Sequence, residues 1–288
     1  TRMLAVSFVH DLVENGVASG PPSISAMTPS FRGEASIFSV LEGFSLVGLI
    51  ALGLAVTIIA GEFDLSVGSM AALAAVIAVL TSHLGLAGSM AIATAFGIVF
   101  GAIQGALIGR LGINSLVFTI GTLILLRGLT YVLSGHEPIM IDNIEITDPL
   151  IERYWIFSFS SICALAVFAL AGLFLTFTRW GREIFAIGGA RNEAAAAGVP
   201  KVRTIAIAFA ISGGCAALAG SLAAMRGGSA APQNYDDLLL TGCAATLLGG
   251  ISLYGGRGSV FNVALGVAAA ALKGFEDRVA LGEGLRIL

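Results

Sequence analysis

The stretch Leu65–Gly109, LSVGSMAALAAVIAVLTSHLGLAGSMAIATAFGIVFGAIQGALIG, contains no Lys, Arg, Asp or Glu. About 20 apolar residues cross a bilayer core of about 30 Å, so the stretch is long enough for two membrane-spanning helices. Its middle, "SHLGLAG" at 82–88, gathers the small and turn-forming residues and predicts a turn there. Further charge-free windows occupy Gly43–Gly61, Tyr154–Thr178, Thr204–Met225, Leu238–Gly256 and Gly258–Leu272. Another, Leu111–Leu126, continues past Arg127 to Ser134. Together they predict an all-α, polytopic membrane protein of about eight spans. The composition agrees, with 57% hydrophobic and 11% charged residues and a mean hydropathy of +0.94.

Charge is informative through its placement. If the loop Arg179–Arg203 is cytoplasmic, alternation puts Arg110, Arg179, Arg182, Arg191, Lys201, Arg203 and Arg257 on that side. Only Arg153 and Arg226 fall on the other, as the positive-inside rule requires. The outer loop Gly135–Trp155 carries Glu137, Asp142, Glu145, Asp148 and Glu152. No basic tract points to nucleic acid. Cys163, Cys215 and Cys243 fall inside spans, where they read as packing residues, and His10, His83 and His136 are scattered. Neither a metal site nor a cofactor is expected. The chain opens at Thr1, and "MLAVSFV" is too short for a signal-peptide core.

Gly97, Gly101, Gly105 and Gly109 recur every four residues on one helix face, a packing stripe that lets two backbones approach closely. The chain is interrupted at "IIAGEFDLSVGSM", where Glu62, Asp64 and Ser66 follow Gly61. A carboxylate at the bilayer centre costs about 2.5–3.5 kcal/mol even on a lenient scale. Two readings stand: Asp64 or Ser66 caps the next helix at the cytoplasmic end of a hairpin, or the break lines a translocation pathway. A second break, "LLGGISLYGGRGSV", comes late in the chain. Arg127 either snorkels to a boundary or pairs at a helix break.

Four segments, "GEFDLSVGS", "LVFTIGTLILLRGLTYVLSGHEPI", "GREIFAIGGARNEAAAAGV" and "LLGGISLYGGRGSV", resemble in order and separation the membrane permeases of ribose-type sugar ABC importers. The resemblance covers residues 36–275. It implies a non-catalytic, multi-pass subunit of the bacterial inner membrane that pairs with a second permease, identical or related. It also implies a periplasmic sugar-binding protein that delivers the solute and cytoplasmic ATPase subunits that drive transport. Relative to the family pattern, Glu62 stands where Gly is usual, and the family has one span before Phe38 and another after Leu272. Here residues 1–36 are polar and irregular, residues 37–275 form the permease domain, and residues 276–288 are a short charged tail. Either both end spans are missing from this chain or its termini are altered.

Within the basic loop, Asn192 is a candidate N-cap, Glu193 suits the positive first turn, Ala194–Ala197 favour helix, and Gly198 with Pro200 stop it. A helix this short needs a surface to dock on. "EAAAAG" is similar to the loop by which importer permeases contact their ATPases, with the glycine one residue early. The resemblance assigns Arg182, Gly188, Arg191, Asn192, Glu193, Ala194, Ala195 and Gly198 to that coupling helix and its surroundings; an ordinary positive-inside connection is the plainer reading. Lys201 and Lys273 belong to no phosphate-binding loop, so any ATP is bound elsewhere. The competing class is an ion-coupled secondary transporter or channel using Glu62, Asp64 and Arg127. An intramembrane hydrolase is disfavoured, because no histidine lies at mid-span and only Asp64 lies near one.

Overall fold

The structure, a computed structural model, describes residues 34–233 and 235–284. Expectations for residues 1–33 and 285–288, which include most of the polar 1–36 segment, lie outside the described residues. Helices occupy all the apolar windows: α1 (Glu34–Ile59), α2 (Val67–Leu80), α3 (Gly85–Leu111), α4 (Ser115–Ser134), α6 (Phe159–Phe177), α9 (Lys201–Gly227), α10 (Asp236–Leu248) and α11 (Val260–Gly284). Short helices α5 (Asp148–Ile151), α7 (Arg179–Gly189) and α8 (Arg191–Ala196) lie in the connections. Among the described residues five helices are long and apolar enough to cross a membrane, and Val67–Leu80, Asp237–Leu248 and Val260–Lys273 are shorter apolar ones. The molecule is a polytopic helical membrane protein.

Two windows end differently from their apolar limits. Tyr154–Thr178 becomes helical only at Phe159, because strand β2 (Arg153–Tyr154) pairs back on β3 (Phe157–Ser158). Ser158 then caps α6 in a reciprocal box: its hydroxyl accepts from the Ser161 N–H at 3.1 Å, and the Ser161 hydroxyl accepts from the Ser158 N–H at 2.9 Å. Leu238–Gly256 stops being helical at Leu248, where the N–H groups of Gly250 and Ile251 return to the carbonyls of Leu247 and Thr246 at 2.8 and 3.4 Å. On the same side as β2 and β3, β1 (Ile139–Met140) pairs antiparallel with β4 (Ser229–Ala230), tying the long acidic loop to the end of α9.

Helix α2 lies at the centre. Nearly every side chain from Val67 to Val79 is buried, and α1, α3, α4, α9 and α10 surround it. A helix apolar all round is a buried helix. Its 14 residues reach only about 21 Å, less than a bilayer core of about 30 Å.

The α3–α9 contact rests on glycine. A Cβ at Gly97 would strike Gly213 and Ala217, one at Gly101 the Phe209 carbonyl, one at Gly105 the Ile205 carbonyl at 2.7 Å, and one at Gly109 the Val202 Cα at 3.0 Å. As numbers rise along α3 they fall along α9, so the helices are antiparallel with backbones nearly touching.

The loops divide between two faces. One, the basic face, holds residues 60–66, 112–114, 178–200 and 249–259; the other holds 81–84, 135–158 and 228–233. Toward that second face, Arg226 pairs with Glu42 and sits 6.0 Å over the Phe38 ring, joining α9 to α1.

Candidate functional site

The basic face is built from the α6–α9 connection outward. Thr178 turns the chain, its hydroxyl accepting from the Gly181 N–H at 3.0 Å as the N-cap of α7. Gly181 lets α7 fold back against the Phe174 and Leu175 carbonyls. Gly181, Glu183, Ile184 and Ile187 face inward on α7, while Arg179 and Arg182 face solvent. This repeat at three- and four-residue spacing is an amphipathic signal, which the many charges and glycines of the segment obscure in the sequence. Arg203 of α9 lies 5.1 Å over the Trp180 ring and steadies α7 from the other side. Removing the cap with Thr178→Ala should lower stability by about 0.5–2 kcal/mol, read as a lower unfolding midpoint in detergent.

Helix α8 follows after Ala190. Its N-cap is Ala190, with no side-chain cap bond. Asn192 is therefore not the cap; it lies inside the first turn, its side chain exposed. The helix starts early because Arg191 is held by an ion pair: its guanidinium donates to Glu62 Oε1 at 2.7 Å and to the Gly61 carbonyl at 3.3 Å. Ala194 alone of the alanines is buried, while Glu193, Ala195, Ala196 and Ala197 are exposed. At the C-terminus the Val199 N–H bonds the Ala194 carbonyl and the Gly198 N–H the Ala195 carbonyl, both at 3.0 Å, with Gly198 at φ +86°. That is a Schellman stop, which requires a residue able to take the left-handed conformation. Between α7 and α8 runs an open groove of about 260 Å³, lined by Arg179, Arg182, Glu183, Ala186, Ala197, Gly198 and Val199.

The end of α7 meets both chain interruptions. Gly61 lies against Gly188, Gly255 against Gly61 and Gly188, and Gly256 against Gly189, all backbone to backbone. The Gly256 N–H donates to the Ile59 carbonyl at 2.8 Å. Gly61 is itself the left-handed stop of α1: its N–H returns to the Ile58 carbonyl at 2.9 Å and that of Glu62 to the Thr57 carbonyl at 3.0 Å. Past Glu62 the Phe63 N–H donates to Ser115 Oγ at 3.0 Å, and the Leu65 N–H to Thr119 Oγ1 at 3.2 Å. Irregular backbone at membrane depth survives only when its polar groups are satisfied in this way.

Asp64 points the other way, into the bundle. Its Oδ1 accepts from the Ser66 N–H at 3.0 Å, the Ser66 hydroxyl at 2.6 Å and Gln104 Nε2 at 3.3 Å. Its Oδ2 accepts from the Ser212 hydroxyl at 2.8 Å. All four residues are buried. Ser66 holds the N-cap position of α2, yet its side chain makes no cap bond. Ser66 thus does not cap α2 through its side chain, its hydroxyl being drawn to the carboxylate; Asp64 accepts from the Ser66 N–H at the start of α2 and also clasps α3 and α9. Arg127 sits half-buried in α4, about two turns beyond Thr119. The glycines 97–109 belong to the α3–α9 contact. Gln104, Ser115, Thr119 and Ser212 escaped the sequence reading, because isolated polar residues in apolar helices carry no local pattern.

Residues 36–272 match the family described as branched-chain amino acid transport system / permease component. The chain belongs to this family. The permease is 36% identical over 228 residues to the L-arabinose transport system permease protein of Escherichia coli (strain K12), covering 77% of this chain and 69% of that one. It is 31% identical over 251 residues to the L-arabinose ABC transporter permease protein of Azospirillum brasilense, covering 85% and 73%. With the ribose import permease protein of Escherichia coli (strain K12) it shares 30% identity over 280 residues, covering 92% and 82%. No solved structure matches the permease.

Proposed function

We propose that the permease is the membrane subunit of an ATP-driven importer that moves a monosaccharide across a bacterial inner membrane. The sugar class is supported by the names of its relatives, L-arabinose and ribose permeases that match most of its length. The observation that carries the coupling to ATP is α8. It is a six-residue helix, too short to be stable in isolation, fixed to the body through Arg191 and Ala194 and turning Asn192, Glu193 and Ala195 to solvent. Such a surface suits a cytoplasmic ATPase subunit.

In this reading ATP binding closes an ATPase pair beneath two permease copies, and the α7–α8 platform moves with it. The helices around α2 then alternate between outward- and inward-open arrangements. A periplasmic binding protein delivers the sugar on the opposite face, and lipid covers the exposed apolar sides of α3, α4 and α6. Arg182 and the α7–α8 groove contribute to the ATPase contact, and the Gly97–Gly109 stripe holds α3 to α9 while the bundle rocks. The permease hydrolyses nothing itself.

A second reading rests on Asp64, a buried carboxylate at a helix break, the setting in which ion-coupled carriers bind their ion. One experiment separates the two. The permease is reconstituted in liposomes with its ATPase and binding protein, with and without deletion of Glu193–Gly198. The importer reading expects the parent to co-purify with the ATPase and support sugar-stimulated ATP hydrolysis, and the deletion to abolish uptake. Uptake that persists after the deletion and needs no ATPase would establish the ion-coupled carrier instead.

A further inference from the structure

We propose that the Glu62–Arg191 ion pair is the link through which a partner docked on α7 and α8 moves the break between α1 and α2. This rests on the importer reading above. Arg191 is the first residue of α8, on the helix that offers its alanines to solvent, and its side chain is 39% exposed. Glu62 belongs to the membrane bundle, with its side chain only 6% exposed. The bond of 2.7 Å between them spans 129 positions in the chain. A charge-assisted bond to a buried carboxylate is strong and directional, and removing either partner leaves the other at a loss.

Glu62 is well placed to pass a displacement on. It is the residue whose N–H completes the stop of α1. Phe63 and Leu65, next along, hang on Ser115 and Thr119 of α4. Between them Asp64 holds Gln104 of α3 and Ser212 of α9. A pull on Glu62 therefore reaches four membrane helices and the start of α2 within four residues of chain. The surrounding contacts at Gly61, Gly188, Gly255 and Gly256 are backbone against backbone, with no side chains interlocked across them. Of the contacts described at this junction, Arg191 makes the charged side-chain bonds that join α8 to the break, the shorter to the Glu62 carboxylate and the longer to the Gly61 carbonyl. The break between the two helices is the element whose two arrangements both ends of this chain of contacts would bias.

The test is a double-mutant cycle in liposomes containing the permease, its ATPase and its binding protein. Glu62→Gln and Arg191→Gln should each lower sugar uptake per ATP hydrolysed by at least about fivefold, the lower end of ordinary coupling strengths. Co-purification of the ATPase should be unchanged in Glu62→Gln, whose side chain is buried away from the docking surface. The double variant should be no worse than Arg191→Gln alone, because Glu62→Gln removes an ion pair that Arg191→Gln has already broken. Additive losses, unchanged coupling in the single variants, or loss of ATPase binding in Glu62→Gln would each overturn the link. A second measurement needs no partner: in the permease alone, Arg191→Gln should speed amide hydrogen exchange of Phe63–Ser66 by about tenfold or more. Unchanged exchange there overturns the link as well. If the parent binds no ATPase yet exchange responds as stated, the importer reading falls while the Arg191-to-break connection stands.

Discussion

Replacing Gly101 with valine is expected to empty the membrane of folded permease. The first atom of any side chain at this position falls on the Phe209 carbonyl, and the adjacent Gly213 has its own missing Cβ aimed at Gly97 and Gly101. The obstacle is backbone, which has no rotamer to escape into. Overpacking of side chains costs about 1–3 kcal/mol where neighbours can yield; here α3 and α9 must separate along their length. Lipid tails are as apolar as the helices, so association in the membrane depends on close packing. Separation therefore removes the main contact of the bundle. Gly121→Val is the control, since a Cβ there meets nothing within 4 Å. Size-exclusion profiles of detergent extracts should show a monodisperse peak for Gly121→Val and a lost or aggregated one for Gly101→Val. Equal profiles would mean that the glycine seam does not hold the bundle.

Asp64→Ala is expected to be the second most damaging change. It removes one carboxylate and takes the acceptor from the hydroxyls of Ser66 and Ser212, the Gln104 amide and a backbone N–H, all among buried residues, leaving Ser66 and Gln104 only the bond between them at 3.2 Å. Leaving buried charged or polar partners alone costs on the order of 3–5 kcal/mol. Ser212→Ala takes away a single donor and should cost about 1–2 kcal/mol. Asp64→Asn keeps the shape and should fall between them. Unfolding midpoints in detergent should follow that order. If Ser212→Ala proves as destabilising as Asp64→Ala, the carboxylate does not organise the cluster.

The helices were legible because the bilayer imposes a length and an apolar composition on them, and both can be read without knowing any neighbour. The glycine stripe of α3 was visible for the same local reason, though its partner α9 was not. What the sequence hid is long-range. Glu62 and Arg191 each looked like a loop charge, and nothing local joins residues so far apart. Helix α7 was hidden by its charges and glycines, which serve the turn at Gly181 and the crossing at Gly188. Asn192 and Ser66 had the right chemistry for caps, but their helices begin under tertiary constraint: Arg191 is drawn to Glu62, and the Ser66 hydroxyl to Asp64. Local propensity gave way in both places to a buried carboxylate.

The enclosure of α2 also bears on how the permease is made. In the finished protein its neighbours are other helices, so a polar stripe on α2 matched by a partner would be tolerable there. During synthesis, however, α9 and α10 emerge long after α2, and until they arrive much of its surface faces lipid. The run Val67–Leu80 is apolar on every side, which suits this first environment as well as the last. The same order applies to Asp64. Gln104 reaches it with α3, the next long helix to be made, while Ser212 comes only with α9. The carboxylate thus spends part of biogenesis half-satisfied, and the arrival of α9 both closes the glycine seam and completes its hydrogen bonds.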